Sequence, residues 1–352
     1  MKDYSEFEHA YKEKYNKLGK QEKKRIRDKD RSKHKTTDQK KLCHASTCEG
    51  KRGRVLSITP TEILVDLEEK PTACTLRGVL KKEKGKEKRL LAIGDFVIVD
   101  ERGQIAKIEE RYSQLVRRDN LRRRLAHVIA ANIDQVLIVT SVQEPSLKPS
   151  LIDRYIISAI RGNMTPVLLI NKIDLATDKQ SLKELVKIYE TLKIPVIQVC
   201  ATKKKGLRHV AKIMQGKASV FSGQSGVGKT TLINLITGNA FLTSDVVART
   251  EKGVHTTTKA HLIRIGEDSF CIDTPGIKSF SLWDITSDEL SHYFSDLQQF
   301  CSACKFMNCT HTHEPDCRVK EAVQEGLISE IRYNSYITIR QGNDEDQKNH
   351  WE

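Results

Sequence analysis

The sequence predicts an α/β domain built around a phosphate-binding loop, with a small β-barrel before it and a metal-binding helical region after it. Residues 223–230 read G-x-x-x-x-G-K-T between an apolar strand-like run and a helix-like run. From residue 134 onward, short apolar runs alternate with helical patterns, which is typical of a parallel sheet with helices on both faces. Near the carboxyl end, four of the nine cysteines lie within seventeen residues.

Composition limits the class of protein. The 352 residues leave room for two or three domains. The net charge of +14 favours a polyanion such as nucleic acid as a partner, and charge that serves only solubility is the alternative. The sequence has no run of 18 apolar residues and no apolar signal core, so we expect a cytoplasmic protein with no membrane partner. We also expect a monomer. Its cysteines then indicate free thiols or metal ligands rather than disulfides.

Residues 1–42 read as a basic extension. Up to Lys41 they contain fifteen Lys/Arg and eight Asp/Glu, so this segment carries half of the net charge. Its scarcity of apolar residues predicts disorder or a solvated helix. We favour an RNA-contacting arm over an inert tail. Cys43 and Cys48 follow with only His44 nearby, which favours plain thiols over a metal site.

Residues 43–113 are predicted to form a small barrel. Short β-type patterns occupy residues 54–58, 62–67, 74–80, 95–99 and 104–108. Five such strands in a basic protein favour an OB-type barrel, and a generic barrel used for protein contact stays open. The arginine-rich residues 113–127 are predicted to be a linker that contacts phosphate, or a solvated hinge.

Residues 114–283 carry the α/β pattern. Apolar strand runs lie at residues 135–140, 166–170, 196–199 and 218–222, and another follows at 269–272. Apolar residues between 182 and 192 recur with helical spacing. Because ligands of such sheets bind beyond the carboxyl ends of the strands, we look for the site in the loops that follow them.

The P-loop supplies the chemistry for binding a nucleoside triphosphate. Its glycines let successive backbone N–H groups turn toward an anion, and the helix that follows adds its own attraction for phosphate. Lys229 is expected to reach the β- and γ-phosphates, and the Thr230 hydroxyl to ligate Mg²⁺. The predicted phosphate-binding residues are Gly223, Gln224, Ser225, Gly226, Val227, Gly228, Lys229, Thr230 and Thr231.

A second motif predicts guanine as the base. Asn171, Lys172, Ile173 and Asp174 read N-K-x-D directly after a strand. The Asp174 carboxylate can accept hydrogen bonds from guanine N1–H and the exocyclic amine, a pair of donors that adenine lacks. After the next strand, Cys200 and Ala201 occupy the place of a Ser-Ala turn whose backbone contacts the base, with Cys in place of Ser.

Two later motifs complete a GTPase set. Residues 253–258 read G-V-H-T-T-T, and Thr257 is our candidate for ligating Mg²⁺ and sensing the γ-phosphate. Residues 273–276 read D-T-P-G, in which Asp273 would serve the Mg²⁺ shell and the Gly276 N–H would meet the γ-phosphate. Because N-K-x-D precedes the P-loop, we predict a circularly permuted α/β P-loop GTPase domain with an N-terminal OB-type β-barrel and a C-terminal zinc-binding helical domain.

The motif D-x-x-G is followed by Ile277, where many GTPases have a glutamine that orients the attacking water. Isoleucine cannot hydrogen-bond water, so another group must position it. His255 is the candidate catalytic residue because an imidazole beside the switch threonines can accept a proton near neutral pH. The alternative is that His255 only packs against the switch or hydrogen-bonds to it.

Residues 284–340 contain the candidate metal site. The spacing C-x4-C-x-H-x5-C gives Cys304, Cys309, His311 and Cys317, which suits one tetrahedral zinc ion. Cys301 and His313 are spare candidates. The loop has so few apolar residues that it would scarcely pack without metal. Residues 318–340 look helical, and residues 341–352 are predicted to be a polar tail.

In these motifs the chain resembles the RsgA family of small ribosomal subunit biogenesis GTPases. The residues that carry the resemblance are 171–174, 223–231, 253–258, 273–276 and the cysteine–histidine cluster, and the likeness spans roughly residues 50–340. It implies GTP hydrolysis during late maturation of the small subunit, stimulation by that subunit, and binding to ribosomal RNA. A non-enzymatic RNA-binding module with GTP as a structural switch ligand stays open at this point.

Overall fold

The computed structural model describes residues 50–59, 62–77, 91–118, 126–238, 261–273 and 285–348. The predictions made for the basic extension 1–42, for Cys43 and Cys48, and for the segment 253–258 lie outside the described residues. So do those for Gly276 and Ile277.

The N-terminal described strands close into a five-stranded barrel, which confirms the predicted OB-type fold. Its strands run in the order β1-β2-β3-β5-β4, with β3 parallel to β5 and the other printed neighbours antiparallel. Val55, Val65, Val97 and Ile105 are fully buried in its interior. The strands are β1 (Lys51–Ile58), β2 (Ile63–Leu67), β3 (Lys70–Leu76), β4 (Phe96–Val99) and β5 (Gln104–Ile108).

The third strand begins four residues earlier than the sequence predicts. Glu68 and Glu69 both adopt positive φ values, 51° and 66°, in the turn between β2 and β3. Two successive residues of this kind form a tight turn whose twist matches that of a hairpin. The chain therefore re-enters the sheet at Lys70 rather than at Cys74.

Part of the predicted linker 113–127 is a hairpin instead. Strands β6 (Gln114–Arg118) and β7 (Ala126–Ala131) pair antiparallel. Leu115 is almost fully buried in the main core, and this apolar anchor explains why the segment is ordered despite its arginines. Residues 119–125 lie outside the described part of the chain.

A six-stranded sheet forms the centre of the α/β domain. Its order is β10-β9-β8-β11-β13-β12, with every neighbouring pair parallel except β12 and β13. The central position of β8 and β11 brings residues from distant parts of the chain to one edge. The strands are β8 (Gln135–Ser141), β9 (Thr165–Asn171), β10 (Val196–Gln198), β11 (Ala218–Ser222), β12 (His261–Gly266) and β13 (Ser269–Asp273).

Helices cover both faces of this sheet, as predicted. Helices α1 (Pro149–Arg161) and α2 (Lys179–Thr191) pack on one face, and α3 (Leu207–Met214) and α4 (Lys229–Thr237) pack on the other. Strand β8 shows why both faces need cover, because its successive apolar side chains alternate between the two cores. Among the residues with assigned structure, no helix is long and apolar enough to cross a membrane.

The C-terminal region is helical but interrupted. Helix α5 (Ser295–Cys301) precedes the cysteine–histidine loop, and α6 (Arg318–Gln324) and α7 (Glu330–Lys348) follow it. The single helical stretch predicted for 318–340 is divided at Gly326, which has a φ of 73°. Helix α7 then continues to Lys348, into the predicted polar tail.

Helix α7 is tied to the α/β domain by a buried ion pair. Arg332, 4% exposed, binds the Asp153 carboxylate of α1 and donates to Asp296 of α5 at 2.9 and 3.0 Å. Burial raises the pKa of Asp153, although Arg332 opposes that shift. Burial lowers the pKa of Arg332, but the two carboxylates outweigh it and hold that pKa above its ordinary value.

The barrel is tied to the strand β12 by a second set of ion pairs. Arg264 lies on β12 and donates to Asp66 at 2.8 Å and to Glu69 at 2.9 Å. Arg54 of the barrel lies between two rings, with its guanidinium 5.0 Å from the centroid of Phe96 and 4.6 Å from that of Phe270. These contacts connect the barrel to the edge of the nucleotide-binding sheet.

Candidate nucleotide site and metal centre

The P-loop lies where the central strand β11 ends and α4 begins, and its glycines are required by close contacts. Gly223 has a φ of 148°, and a Cβ atom there would lie 2.1 Å from the Val139 carbonyl oxygen of β8. Gly228 has a φ of 92°, and a Cβ atom there would lie 2.5 Å from Asn171 Nδ2. Both positions therefore exclude a side chain on steric as well as conformational grounds.

The side chains of the loop face in different directions. Lys229 Nζ donates to the carbonyl oxygens of Gly223 and Gln224 at 2.8 and 2.9 Å, so the ammonium group lies over the loop itself. Val227 is buried in the core beneath the sheet. In contrast, Ser225, Gly226, Thr230 and Thr231 are exposed, so the loop and the first turn of α4 are open to a ligand.

Asn171 joins three loops at the site. Its Nδ2 donates to the Val227 carbonyl oxygen of the P-loop at 2.8 Å. Its Oδ1 accepts from the Ala201 backbone N–H at 3.2 Å. The side chain is 1% exposed, so it acts as a buried brace. Sequence reasoning placed Asn171 beside the base and missed this bracing role, because residues so far apart in sequence give no local signal of contact.

Asp174 is exposed to solvent at the carboxyl end of β9. It lies in a single 3-10 turn, Ile173–Leu175, after β9, and Ile173 packs against the core from the same turn. The Cys200 thiol donates to Asp174 Oδ1 at 3.2 Å. That hydrogen bond is the main cause that lowers the pKa of Asp174, with a smaller contribution from Lys203. The carboxylate is therefore ionised and can accept two hydrogen bonds from a base.

Lys172 also belongs to this edge of the sheet. Its φ is 56°, and its Nζ donates to the Glu144 carbonyl oxygen at 2.5 Å. This bond fastens the loop after β9 to the loop after β8. Asp273 ends β13, where it pairs with Phe221 of β11, the strand that leads into the P-loop.

The predicted metal ligands form one cluster. The ligand atoms of Cys304, Cys309, His311 and Cys317 all lie within 4.8 Å of one another. His311 Nδ1 lies 3.6 Å from Cys304 Sγ and 3.5 Å from Cys317 Sγ, and the two sulfur atoms are 3.9 Å apart. Zinc–sulfur bonds of about 2.3 Å in a tetrahedron require sulfur–sulfur edges of about 3.8 Å. The donor set and its spacing therefore fit zinc.

The two spare candidate ligands, Cys301 and His313, occupy different places relative to the cluster. Cys301 Sγ lies 3.3 Å from His311 Nε2, the ring nitrogen that does not face the cluster, and 3.3 Å from the Leu297 carbonyl oxygen. Burial raises the pKa of Cys301 to about 11, so it remains a thiol at neutral pH. It can accept from His311 Nε2–H and so hold the ring with Nδ1 toward the cluster. His313 instead contacts the Thr312 hydroxyl at 2.9 Å and is not in the cluster.

Surrounding hydrogen bonds hold the loop that presents His311. Glu314 accepts from the Thr310 and Thr312 backbone N–H groups at 2.7 and 3.1 Å. The Tyr333 hydroxyl donates to the His311 carbonyl oxygen at 2.8 Å. Burial lowers the pKa of His311, which favours the neutral imidazole that a metal requires.

Comparison with known proteins identifies the family to which these motifs belong. The family model described as RsgA GTPase matches residues 108–283. The Small ribosomal subunit biogenesis GTPase RsgA 2 of Bacteroides thetaiotaomicron is 36% identical over 77% of this chain and 90% of its own length. The Small ribosomal subunit biogenesis GTPase RsgA of Chlorobaculum parvum is 35% identical over 83% of this chain and 98% of its own length.

Two solved structures share the fold. The crystal structure of YjeQ from Thermotoga maritima gives a TM-score of 0.67 at 31% identity and covers 83% of this chain and 98% of its own. YloQ, described as a circularly permuted GTPase, gives a TM-score of 0.65 at 26% identity, with 86% and 98% covered. The connection order found here is that of a permuted domain, because along the chain the strand carrying N-K-x-D (β9) precedes the strand carrying the P-loop (β11). This chain therefore belongs to the RsgA GTPase family.

Proposed function

We propose that this protein hydrolyses GTP as an assembly factor in the maturation of the small ribosomal subunit. The observation that carries the proposal is the hydrogen bond from Asn171 to Val227, which joins the N-K-x-D loop to the P-loop. Its relatives are named as GTPases of small-subunit biogenesis. We further propose that it acts as a cytoplasmic monomer, with the subunit and its ribosomal RNA as partners.

Each part of the site has a role in binding GTP. Asp174 would accept from the guanine N1–H and amine, and the Ala201 N–H, which donates to Asn171 Oδ1, holds the Cys200–Ala201 turn beside the N-K-x-D loop. The backbone N–H groups of residues 223–229 would surround the phosphates, and Lys229 would exchange its two carbonyl contacts for phosphate oxygens. Such an exchange keeps the ammonium group hydrogen-bonded in both states, so it costs little.

Magnesium and zinc have different roles in the proposal. Thr230 lies exposed at the first turn of α4, where its hydroxyl suits Mg²⁺, and Thr257 and Asp273 are the other proposed ligands. The ion, when bound, neutralises charge that develops on the phosphates. One zinc ion held by Cys304, Cys309, His311 and Cys317 would support the C-terminal domain. The proposed division is 43–113 for the barrel, 114–283 for the GTPase domain and 284–340 for the zinc domain.

The catalytic group is proposed to be His255, with Gly276 meeting the γ-phosphate. The motivation is chemical, since Ile277 cannot orient water and an imidazole can. Comparing His255→Ala with the unaltered protein, with and without small subunits, tests this assignment. Near-normal GTP affinity with loss of the stimulated rate is expected. A full stimulated rate in His255→Ala would remove His255 from the mechanism.

The assembly-factor proposal is tested by co-sedimentation with purified small ribosomal subunits. We expect the protein to sediment with subunits in the presence of a non-hydrolysable GTP analogue and to remain in the supernatant with GDP. Large ribosomal subunits serve as the control particle. Equal recovery on both particles, or recovery that ignores the nucleotide, would contradict the proposal. The alternative of a non-enzymatic RNA-binding module is not favoured, because the family is one of GTPases.

A further inference from the structure

One strongly basic surface beside the guanine loop is unused by the proposed reaction. Between residues 203 and 217 the sequence has six Lys/Arg and no Asp/Glu. All six side chains are exposed. We call this set the α3 basic surface: Lys203, Lys204, Lys205, Arg208, Lys212 and Lys217.

The three lysines at its start are held on a closed turn. The backbone N–H of Cys200 donates to the Lys205 carbonyl at 3.1 Å, and the Lys205 N–H donates back to Cys200 at 3.0 Å. The Lys204 N–H also donates to the Ala201 carbonyl at 3.2 Å. Because the backbone is already fixed, a ligand that binds these lysines orders fewer degrees of freedom.

The helix that follows presents its cations outward. Val210 and Met214 of α3 are buried in the core under the sheet, which leaves Arg208 and Lys212 on the opposite side of the helix. These two cations are four residues apart, a spacing at which like charges destabilise a helix by roughly 0.2–0.5 kcal/mol. A bound polyanion would turn that repulsion into attraction.

No carboxylate forms an ion pair with this surface within the described ranges of the chain, although Lys203 lies close enough to Asp174 to help lower its pKa. None of the six cations forms an ion pair there. The lysines of helix α2, on the other face of the sheet, form no ion pair in the described ranges either, but this helix differs in having carboxylates among its cations. It carries Lys179, Lys183 and Lys187, but Glu184 and Glu190 each lie three residues from Lys187.

We propose that the α3 basic surface binds the phosphate backbone of RNA, an inference that rests on the proposed function. Phosphates of a nucleic acid recur at a spacing that a row of exposed cations can match, and binding releases counterions. A membrane surface is a poorer match, because peripheral membrane binding also needs exposed apolar side chains. The large exposed apolar residues of the described chain all lie outside residues 201–217.

The test uses a triple variant and a charge-matched control. Lys204→Gln/Arg208→Gln/Lys212→Gln removes three cations from the α3 basic surface, and Lys179→Gln/Lys183→Gln/Lys187→Gln removes three from α2. Affinity for purified small subunits and for a mixed-sequence RNA duplex is measured across a series of salt concentrations. The first variant should lower the salt slope by about two to three and weaken binding roughly ten-fold or more near 0.1 M salt.

The control should keep the slope of the unaltered protein, and both variants should keep its GTP affinity. If the unaltered protein binds subunits and the α3 variant keeps the same salt slope, RNA binding by the α3 basic surface is refuted, while the proposed function stands. An equal loss in the α2 control would also refute it, because the effect would then be one of total charge. Binding to phosphatidylserine vesicles is measured as well. If the α3 variant loses vesicle binding but keeps its RNA affinity, the proposal of RNA binding is refuted and the surface binds membranes instead. Absence of subunit binding by the unaltered protein would instead contradict the proposed function.

Discussion

The Asn171 side chain donates to the Val227 carbonyl oxygen at 2.8 Å and thereby joins the loop after β9 to the P-loop after β11. The two residues are 56 positions apart, and strand β8 lies between their strands in the sheet. A permuted connection order leaves this contact intact because the site depends on where strands end in space. The bond is buried, so its loss leaves a carbonyl oxygen without a partner.

We expect Asn171→Ala to weaken binding of both GTP and GDP. Losing a buried hydrogen bond costs about 1–3 kcal/mol, which corresponds to roughly five- to 150-fold in affinity if the cost falls on the bound state. Isothermal titration with each nucleotide measures it. Asn334→Ala, at an exposed position of α7, is the control. Unchanged affinity in Asn171→Ala would mean that the P-loop holds its shape without this brace.

Asp174→Asn is expected to change the preferred base. An amide presents a donor where guanine also presents one, so GTP should bind more weakly and xanthosine triphosphate more tightly. Competition between GTP, xanthosine triphosphate and ATP for the two proteins measures the change. Asp178→Asn, which can still cap α2, should leave the preference unaltered. Equal binding of ATP and GTP by the unaltered protein would contradict the assignment of Asp174.

The sequence predicted those parts of the fold that have a local signal. The P-loop glycines, the apolar runs of β8 and β11 and the cysteine spacing are all read within a few residues. The hairpin of β6 and β7 was missed because the arginines around Leu115 mask its apolar anchor. Contacts between distant residues, such as Arg264 with Asp66 and Arg332 with Asp153, were also not predicted. They depend on how the domains pack, which has no local signal in the sequence.

Three consecutive lysines of the α3 basic surface can be read from the sequence, but their position beside the guanine loop cannot. Only the structure places Lys204 on a closed turn next to the guanine loop and separates α3 from α2 by the whole sheet. Likewise, spacing alone left Cys301 and His313 as equal spare ligands. The contact of Cys301 with His311 Nε2 distinguishes them.

One zinc ion per chain is expected from metal analysis of the purified protein. Cys309→Ala should lose it, because three remaining donors cannot complete the tetrahedron. Cys301→Ala is the matched control and should retain one zinc, with a faster loss to a chelator because His311 is less well oriented. A full complement of zinc in Cys309→Ala would contradict the ligand set.

Arg332→Met is expected to destabilise the contact between α7 and the α/β domain. The substitution leaves Asp153 buried without its partner, and breaking a buried pair in this way costs about 3–5 kcal/mol. Thermal unfolding followed by circular dichroism measures the change. Arg318→Met breaks an ion pair with Glu325 that is exposed to solvent, and should change the stability much less. An equal loss of stability in the two variants would show that the buried ion pair contributes no more to stability than the exposed one.

Hydrolysis of GTP at this site should be accelerated by the small ribosomal subunit. The direct measurement is phosphate release from GTP and from ATP, with and without purified small subunits, by the unaltered protein and by Lys229→Ala. We expect slow intrinsic turnover, about 10⁻⁴ to 10⁻³ s⁻¹ as in unassisted small GTPases, and a marked increase with subunits. We also expect little phosphate release from ATP and loss of activity in Lys229→Ala. A rate that subunits leave unchanged, or equal turnover of ATP and GTP, would contradict these expectations.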